Sequence, residues 1–157
     1  MSTETVVAAL QATGIPYEVT QHARARSLVE AAELQGVEPS RIVKTLVVRR
    51  GEDDYLFVLV PGDRTISWPK LRTLLGVSRL SMHDAAVAKD VTGYERGTIT
   101  PFGSSRAWPV IADERVSGTI SLGGGAHGVG IRLTADDAVR ALGATVADVT
   151  EEAPVRG

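Results

Sequence analysis

The feature that most limits what this chain can become is a pair of apolar runs, Ile42-Val43-Lys44-Thr45-Leu46-Val47-Val48 and Tyr55-Leu56-Phe57-Val58-Leu59-Val60, parted by Gly51-Glu52-Asp53-Asp54. β-Branched and aromatic side chains at this density favour extended backbone, and a short polar link carrying a glycine favours a hairpin. Pro61-Gly62-Asp63 ends it. The chain is therefore expected to be built on a sheet. Its 157 residues suit a single domain over 1–157, large enough to bury roughly two-thirds of its unfolded surface without metals or disulfides.

Helices are expected around this hairpin. Ser2 or Thr3 caps a first helix with Val6, Val7 and Leu10 on its apolar face and a stop at Gly14. Ile15-Pro16 forces an extended exit into a short strand, Tyr17-Glu18-Val19-Thr20. Ser27 and Glu30 have capping-box spacing for a helix closing at Gly36, and Ser67 with Pro69 opens one carrying Leu71, Leu74 and Leu75 to Gly76. A short strand at Arg79–Met82 and a helix from Asp84 to Val91 follow. Trp108–Ile111, Gly118–Leu122 and Val129–Leu133 read as strands, and Thr134 with Asp137 caps a last helix stopped by Gly143. A closing strand is expected within Ala144–Val149 and a loose tail from Glu151. This order of helices, hairpins and consecutive strands predicts one mixed α/β domain with a largely antiparallel sheet.

Composition excludes several classes. With no cysteine, disulfides, thiolate metal sites and a cysteine nucleophile are ruled out, which fits a reducing compartment. The start, Met1-Ser2-Thr3-Glu4-Thr5, has neither the basic nor the apolar segment of a signal peptide, and no apolar run approaches the ~20 residues of a membrane span. A soluble cytoplasmic protein is expected. Net charge is −2, so no DNA or membrane partner is expected from overall electrostatics, and contact with nucleic acid needs a local basic patch.

Three features could carry chemistry. Gly93-Tyr94-Glu95-Arg96-Gly97-Thr98-Ile99-Thr100-Pro101-Phe102-Gly103 is a loop with dictated backbone angles, able to aim peptide N–H groups at one anion or developing oxyanion. Its plain alternative is a long surface connection. In the first apolar run, period-two alternation puts Lys44 on the face of Ile42, Leu46 and Val48. A lysine there should line a cavity or meet an anion, unless it is an edge-strand lysine whose stem packs and whose head reaches water. Gly123-Gly124-Gly125-Ala126-His127-Gly128 contains G-x-G-x-x-G, but a strand rather than a helix follows, so it is no dinucleotide fingerprint. It is a tight strand connection or a second backbone wall of the same cavity. His22, His83 and His127 lack metal-ligand spacing. His22 and His127 are candidate acid, base or orienting groups, and His83 belongs to a helix start. Ser104-Ser105 lack a G-x-S-x-G elbow.

Together, Val43-Lys44-Thr45-Leu46-Val47, the Gly93–Gly103 loop, Tyr17-Glu18-Val19 with His22, Leu75-Gly76-Val77, the later glycine turn and Ile131-Arg132-Leu133 resemble the YbaK/ProX family. These are aminoacyl-tRNA deacylases related to the editing domain of bacterial prolyl-tRNA synthetase. The likeness covers nearly the whole chain and implies a barrel-like mixed sheet flanked by helices, with no cofactor or metal. It implies trans editing, the hydrolysis of the ester joining a wrong small amino acid, such as Ala, Cys or Ser, to tRNA-Pro or a related tRNA, with a synthetase as a further partner. In that likeness Lys44, Gly97, Thr100, Pro101 and His127 stand nearest the chemistry. His22, Thr45, Gly93, Thr98, Ile99, Phe102, Gly103, Gly124, Gly125 and Gly128 form the substrate wall. Thr100 stands where serine is frequent and Thr98 where glycine is common, departures that bear on which amino acid fits. Arg24, Arg26, Arg49, Arg50, Lys70 and Arg72 are candidates for the tRNA body. A non-catalytic module of the same shape, binding aminoacyl-tRNA or a synthetase, and a small-ester hydrolase are the alternatives.

Overall fold

The computed structural model describes residues 1–23 and 25–154. In chain order it runs α1 (Thr3–Thr13), β1 (Glu18–Gln21), α2 (Leu28–Gln35), a 3-10 turn (Pro39–Arg41), β2 (Val43–Gly51) and β3 (Asp54–Pro61). Then come β4 (Arg64–Ile66), α3 (Trp68–Leu75), α4 (Ala85–Thr92), β5 (Val110–Asp113) and β6 (Thr119–Gly123). β7 (Val129–Thr134), α5 (Ala135–Leu142), β8 (Thr145–Ala147) and β9 (Thr150–Glu152) complete it.

Local chemistry explains the helix limits. The Ser27, Ser67, Asp84 and Thr134 side chains accept the N–H of the residue three positions on, satisfying donors that a helix start leaves free. Gly14, Gly36, Gly76 and Gly143 close the helices they were expected to close. Val6 and Leu10 are fully buried under α1, and Leu71 under α3, whereas Leu74 is exposed.

The hairpin is the centre of the fold. β2 and β3 pair antiparallel, with Lys44 opposite Val60 and Val47 opposite Phe57. β3 then pairs parallel with β5, and β5 parallel with β8. β3 is thus an interior strand covered on both faces, which is why its apolar run does not alternate. Tyr55, Phe57 and Leu59 join one core cluster with Val6, Leu10, Tyr94, Phe102 and Ile131. Leu56, Val58 and Val60 join another with Val48, Ile66 and Leu71. Each such side chain contributes ~1.5–3 kcal/mol on full burial. β1-β7-β6 form a second, antiparallel sheet, β4 pairs with β9, and a parallel bridge from Ile42 to Ser121 joins the first two sheets.

Four of the six strand pairings are antiparallel, in keeping with the expected mixed sheet. Four expectations are corrected. The sheets do not close into a barrel. Arg79–Met82 is not a strand: only Ser81 makes a bridge, to Arg49, and the short segment has one partner edge to lean on. Glu151 and Glu152 are not loose, because β4, a strand that sequence reading missed, pairs with them. The strand expected from Trp108 begins at Val110. Trp108 instead donates its indole N–H to Val91 O at 2.7 Å and packs edge-on to Tyr55. No helix among the described residues is long and apolar enough to cross a membrane.

Candidate active site

The second sheet meets the hairpin along the free edge of β2, and there the main cavity opens, with a volume of about 550 Å³. Ile42, Val43, Leu46 and Val47 of the β2 side, Ile99 of the glycine-rich loop and Leu122 of β6 give it aliphatic walls. His22, Gln35, Lys44, Thr45 and Ser121 add polar atoms, and Gly97, Gly123, Gly128 and Gly130 bring bare backbone to its surface.

The loop owes its shape to contacts on its far side. Tyr94 is fully buried and its hydroxyl donates to Phe102 O at 2.7 Å. Burial pushes the Tyr94 phenol up to about 12. Thr98 returns both its N–H and its hydroxyl to Glu95 O, at 3.0 and 2.7 Å, and Thr98 O accepts the Gly125 N–H at 3.1 Å. A backbone clamp thus ties the loop to the later glycine turn. Gly97 holds a φ of +87°, which a side chain would strain. At Gly123 an added Cβ would stand 2.5 Å from Ile99 O, so only glycine lets the loop lie against β6. The N–H groups of Gly97 and Ile99 meet no backbone acceptor among the described residues. Unpaired amides in a cavity lining are candidate donors to an oxyanion.

The sequence-expected residues divide. His22, Lys44, Thr45, Gly97, Ile99 and Gly128 line the main cavity. His127 does not. It lines an adjoining hollow of about 410 Å³ together with His22, Gly97 and Gly128. Gly93, Thr98, Thr100, Pro101, Phe102, Gly103, Gly124 and Gly125 line neither. Thr98, Thr100 and Phe102 are buried, because this half of the loop faces the core and α1 rather than the cavity. Gly103 sits against Tyr94 and Thr5, Gly124 O accepts the Thr3 hydroxyl at 2.9 Å, and Gly93 caps α4. Their part is to shape the loop.

Lys44 shares its face of β2 with Leu46 and Val48, as alternation requires, but its ammonium is hydrogen-bonded to protein. It donates to Arg64 O of β4 at 2.6 Å. Burial lowers its pKa, partly offset by the nearby Asp63 carboxylate. An ammonium has further donors beyond that one bond, so the group remains able to receive an anion. Two polar atoms of the wall, His22 Nδ1 and Thr45 Oγ1, are buried with no hydrogen-bond partner among the described residues. Orphaned buried atoms of this kind mark places where a ligand or water completes the bonding.

Gln35, Ser121 and Arg96 are wall residues that sequence reading missed. Ser121 donates its hydroxyl to Gln35 Oε1 at 2.5 Å, and Arg132 holds Gln35 O, so a helix end and two strands converge. No local pattern signals a pair so far apart in the chain. Of the basic residues considered for tRNA, Arg50 is paired with Asp54, Lys70 with Asp148, and Arg49 bonds Gly51 O. Arg26 and Arg72 make no ion pair among the described residues, and Arg24 lies outside them.

An open-mouthed cavity with aliphatic walls, bare backbone on one side and a half-buried lysine on another has the features of a small-molecule site. The relatives give that class its family. Residues 22–141 match the model of the aminoacyl-tRNA editing domain, and the chain belongs to that family, with a YbaK-like editing domain. It is 34% identical over 99 residues to the proline–tRNA ligase of Thermosipho melanesiensis, covering 63% of this chain and 17% of the ligase. To the proline–tRNA ligase of Lactobacillus gasseri it is 32% identical over 96 residues, covering 61% and 17%. The chain thus spans a small part of the curated ligases it matches. A solved structure described as a candidate trans-editing enzyme for prolyl tRNA synthetase superposes with a TM-score of 0.87 at 28% identity, covering 95% of this chain and 96% of that one.

Proposed function

We propose that this protein, acting as one unit over residues 1–157 in the cytoplasm, is a trans-editing aminoacyl-tRNA deacylase. It removes a wrongly attached small amino acid, such as Ala, Cys or Ser, from tRNA-Pro or a related tRNA. The observation that carries this reading is the cavity wall at Gly97 and Ile99, whose peptide N–H groups lack backbone acceptors beside an aliphatic chamber. An aminoacyl ester is already activated. A water, held by a neighbouring ribose hydroxyl, adds to its carbonyl carbon, the carbonyl oxygen takes the negative charge, and the two amides stabilise it. Collapse breaks the bond to the ribose oxygen, which leaves with a proton, and the free amino acid departs. No protein nucleophile is required, and positioning supplies much of the acceleration. Lys44 leaves the Arg64 carbonyl to meet a substrate phosphate or ribose oxygen. The need for such a step is physical: one methylene gives a synthetase only ~1–3 kcal/mol of discrimination.

Release of free amino acid from alanyl-, cysteinyl- and seryl-tRNA-Pro tests this directly. Lys44→Ala is expected to slow release by about tenfold to a hundredfold, the value of a charge-assisted bond, with the thermal transition retained. Near-normal turnover by that variant removes Lys44 from the reaction, and no release by the unmodified protein from any charged tRNA refutes the assignment.

A further inference from the structure

The main cavity does not stand alone. His22, Arg96, Gly97 and Gly128 belong both to it and to the adjoining hollow, so the two share a wall. Their chemistry contrasts. The larger carries the aliphatic side chains of β2 and β6 in its lining, whereas the smaller has no aliphatic side chain beyond alanine and adds His127 to the shared Arg96. At about 410 Å³ it lies within the ~300–1,000 Å³ range of small-molecule sites.

Resting on the deacylase reading, we infer that the smaller hollow binds the terminal nucleotide of the substrate, with Arg96 on its phosphate, His127 against its base and the ester lying across Gly97. The substrate has the same division as the protein. On one side of the ester is a small, largely apolar acyl group, and on the other a ribose, a flat base and an anionic phosphate.

Four details support this placement. Arg96 is exposed and makes no ion pair among the described residues, so its guanidinium is open to a phosphate. The Glu95 carboxylate beside it is turned to Lys89 at 3.4 Å and lies 4.0 Å from His127 Nε2, so it does not occupy the Arg96 guanidinium. The His127 ring stands next to Gly97, its Cε1 3.5 Å from where a Cβ would stand, which sets an aromatic ring beside the shared wall for a base to meet. In the shared wall, the orphaned His22 Nδ1 is a partner for a ribose hydroxyl next to the ester.

The test is a binding experiment read by amide chemical shifts, using adenosine 5′-monophosphate and its analogue carrying alanine through a stable 3′-amide. The nucleotide alone is expected to shift Arg96, Gly97, His127 and Gly128 and leave Leu46, Val47 and Leu122 unmoved, while the alanyl analogue shifts both sets. Arg96→Ala, an exposed substitution, is expected to weaken the nucleotide about tenfold, and Arg96→Lys to recover part of that loss. Shifts confined to Leu46, Val47 and Leu122, no binding of the nucleotide, or unchanged affinity in Arg96→Ala would each overturn the inference. Turnover is read separately. A protein that binds the nucleotide in the smaller hollow but releases no amino acid from charged tRNA keeps this site and loses the deacylase reading. One that deacylates while the nucleotide maps elsewhere does the reverse.

Discussion

Tyr94→Phe isolates the contact that holds the glycine-rich loop. The ring is fully buried and its hydroxyl makes a single 2.7 Å bond to Phe102 O. The phenylalanine keeps the packing and removes only the donor. Phe102 is itself 3% exposed, so bulk water does not replace the lost partner. Leaving a buried acceptor unsatisfied costs about 1–3 kcal/mol. For a chain of this size that lowers Tm by roughly 2–12 °C, taking about 2–4 °C per kcal/mol. Urea denaturation should show a lower midpoint with an unchanged slope, because the surface exposed on unfolding is the same. The pH dependence gives a second reading. The folded phenol titrates at about 12, above its ordinary 10.0. Its contribution is therefore complete below pH 10 and lost as pH rises from there through about 12. Tyr94→Phe should lack that alkaline loss. Equal midpoints for both proteins at neutral pH would refute the claim that this bond anchors the loop, and the same alkaline limb in the variant would refute the burial of the phenol.

Two further outcomes follow from the geometry. Gly123→Ala places a methyl 2.5 Å from Ile99 O and 3.1 Å from Thr98 O, both backbone, so the loop must shift at a cost of ~1–3 kcal/mol; deacylation should fall by more than stability does, and parallel denaturation and turnover assays compare the two. Asp148, held by hydrogen bonds first from Arg115 and then from Lys70, titrates at about 2 against an ordinary 3.8. Its stabilisation is present above that ordinary value and lost as pH falls through about 2, so Asp148→Asn should flatten the acid limb of the stability profile between those values, and added salt should shrink the difference at neutral pH.

Helix limits, the central hairpin and the two glycine-rich turns were legible because each rests on local rules. A serine three residues before a free amide, a glycine after a last turn and a polar link between apolar runs act within a few positions. The Arg79–Met82 segment failed for the complementary reason: apolar content suggests a strand, but pairing depends on an available edge, and only Ser81 finds one. β4 and β9 were missed because each is three residues long and stabilised by the other across the chain. At the site, alternation identified the face that carries Lys44 but not the carbonyl its ammonium reaches. Eight of the residues expected on the substrate wall or at the chemistry turned out to line neither hollow. A glycine-rich loop has two sides, and composition does not say which one faces the core.

By itself, then, the order of residues determined the elements, the family resemblance and the stretch from Gly93 to Gly103 as the place where backbone would do the work. Only the packed chain decided that Gly97 and Ile99 face the cavity while Thr100, Pro101 and Phe102 turn away from it, and that His127 belongs to a neighbouring hollow. The physical reason is that side-chain direction along a loop is set by what it packs against. Here that is Tyr94, α1 and the end of β6, elements brought together only when the two sheets meet at Ile42 and Ser121.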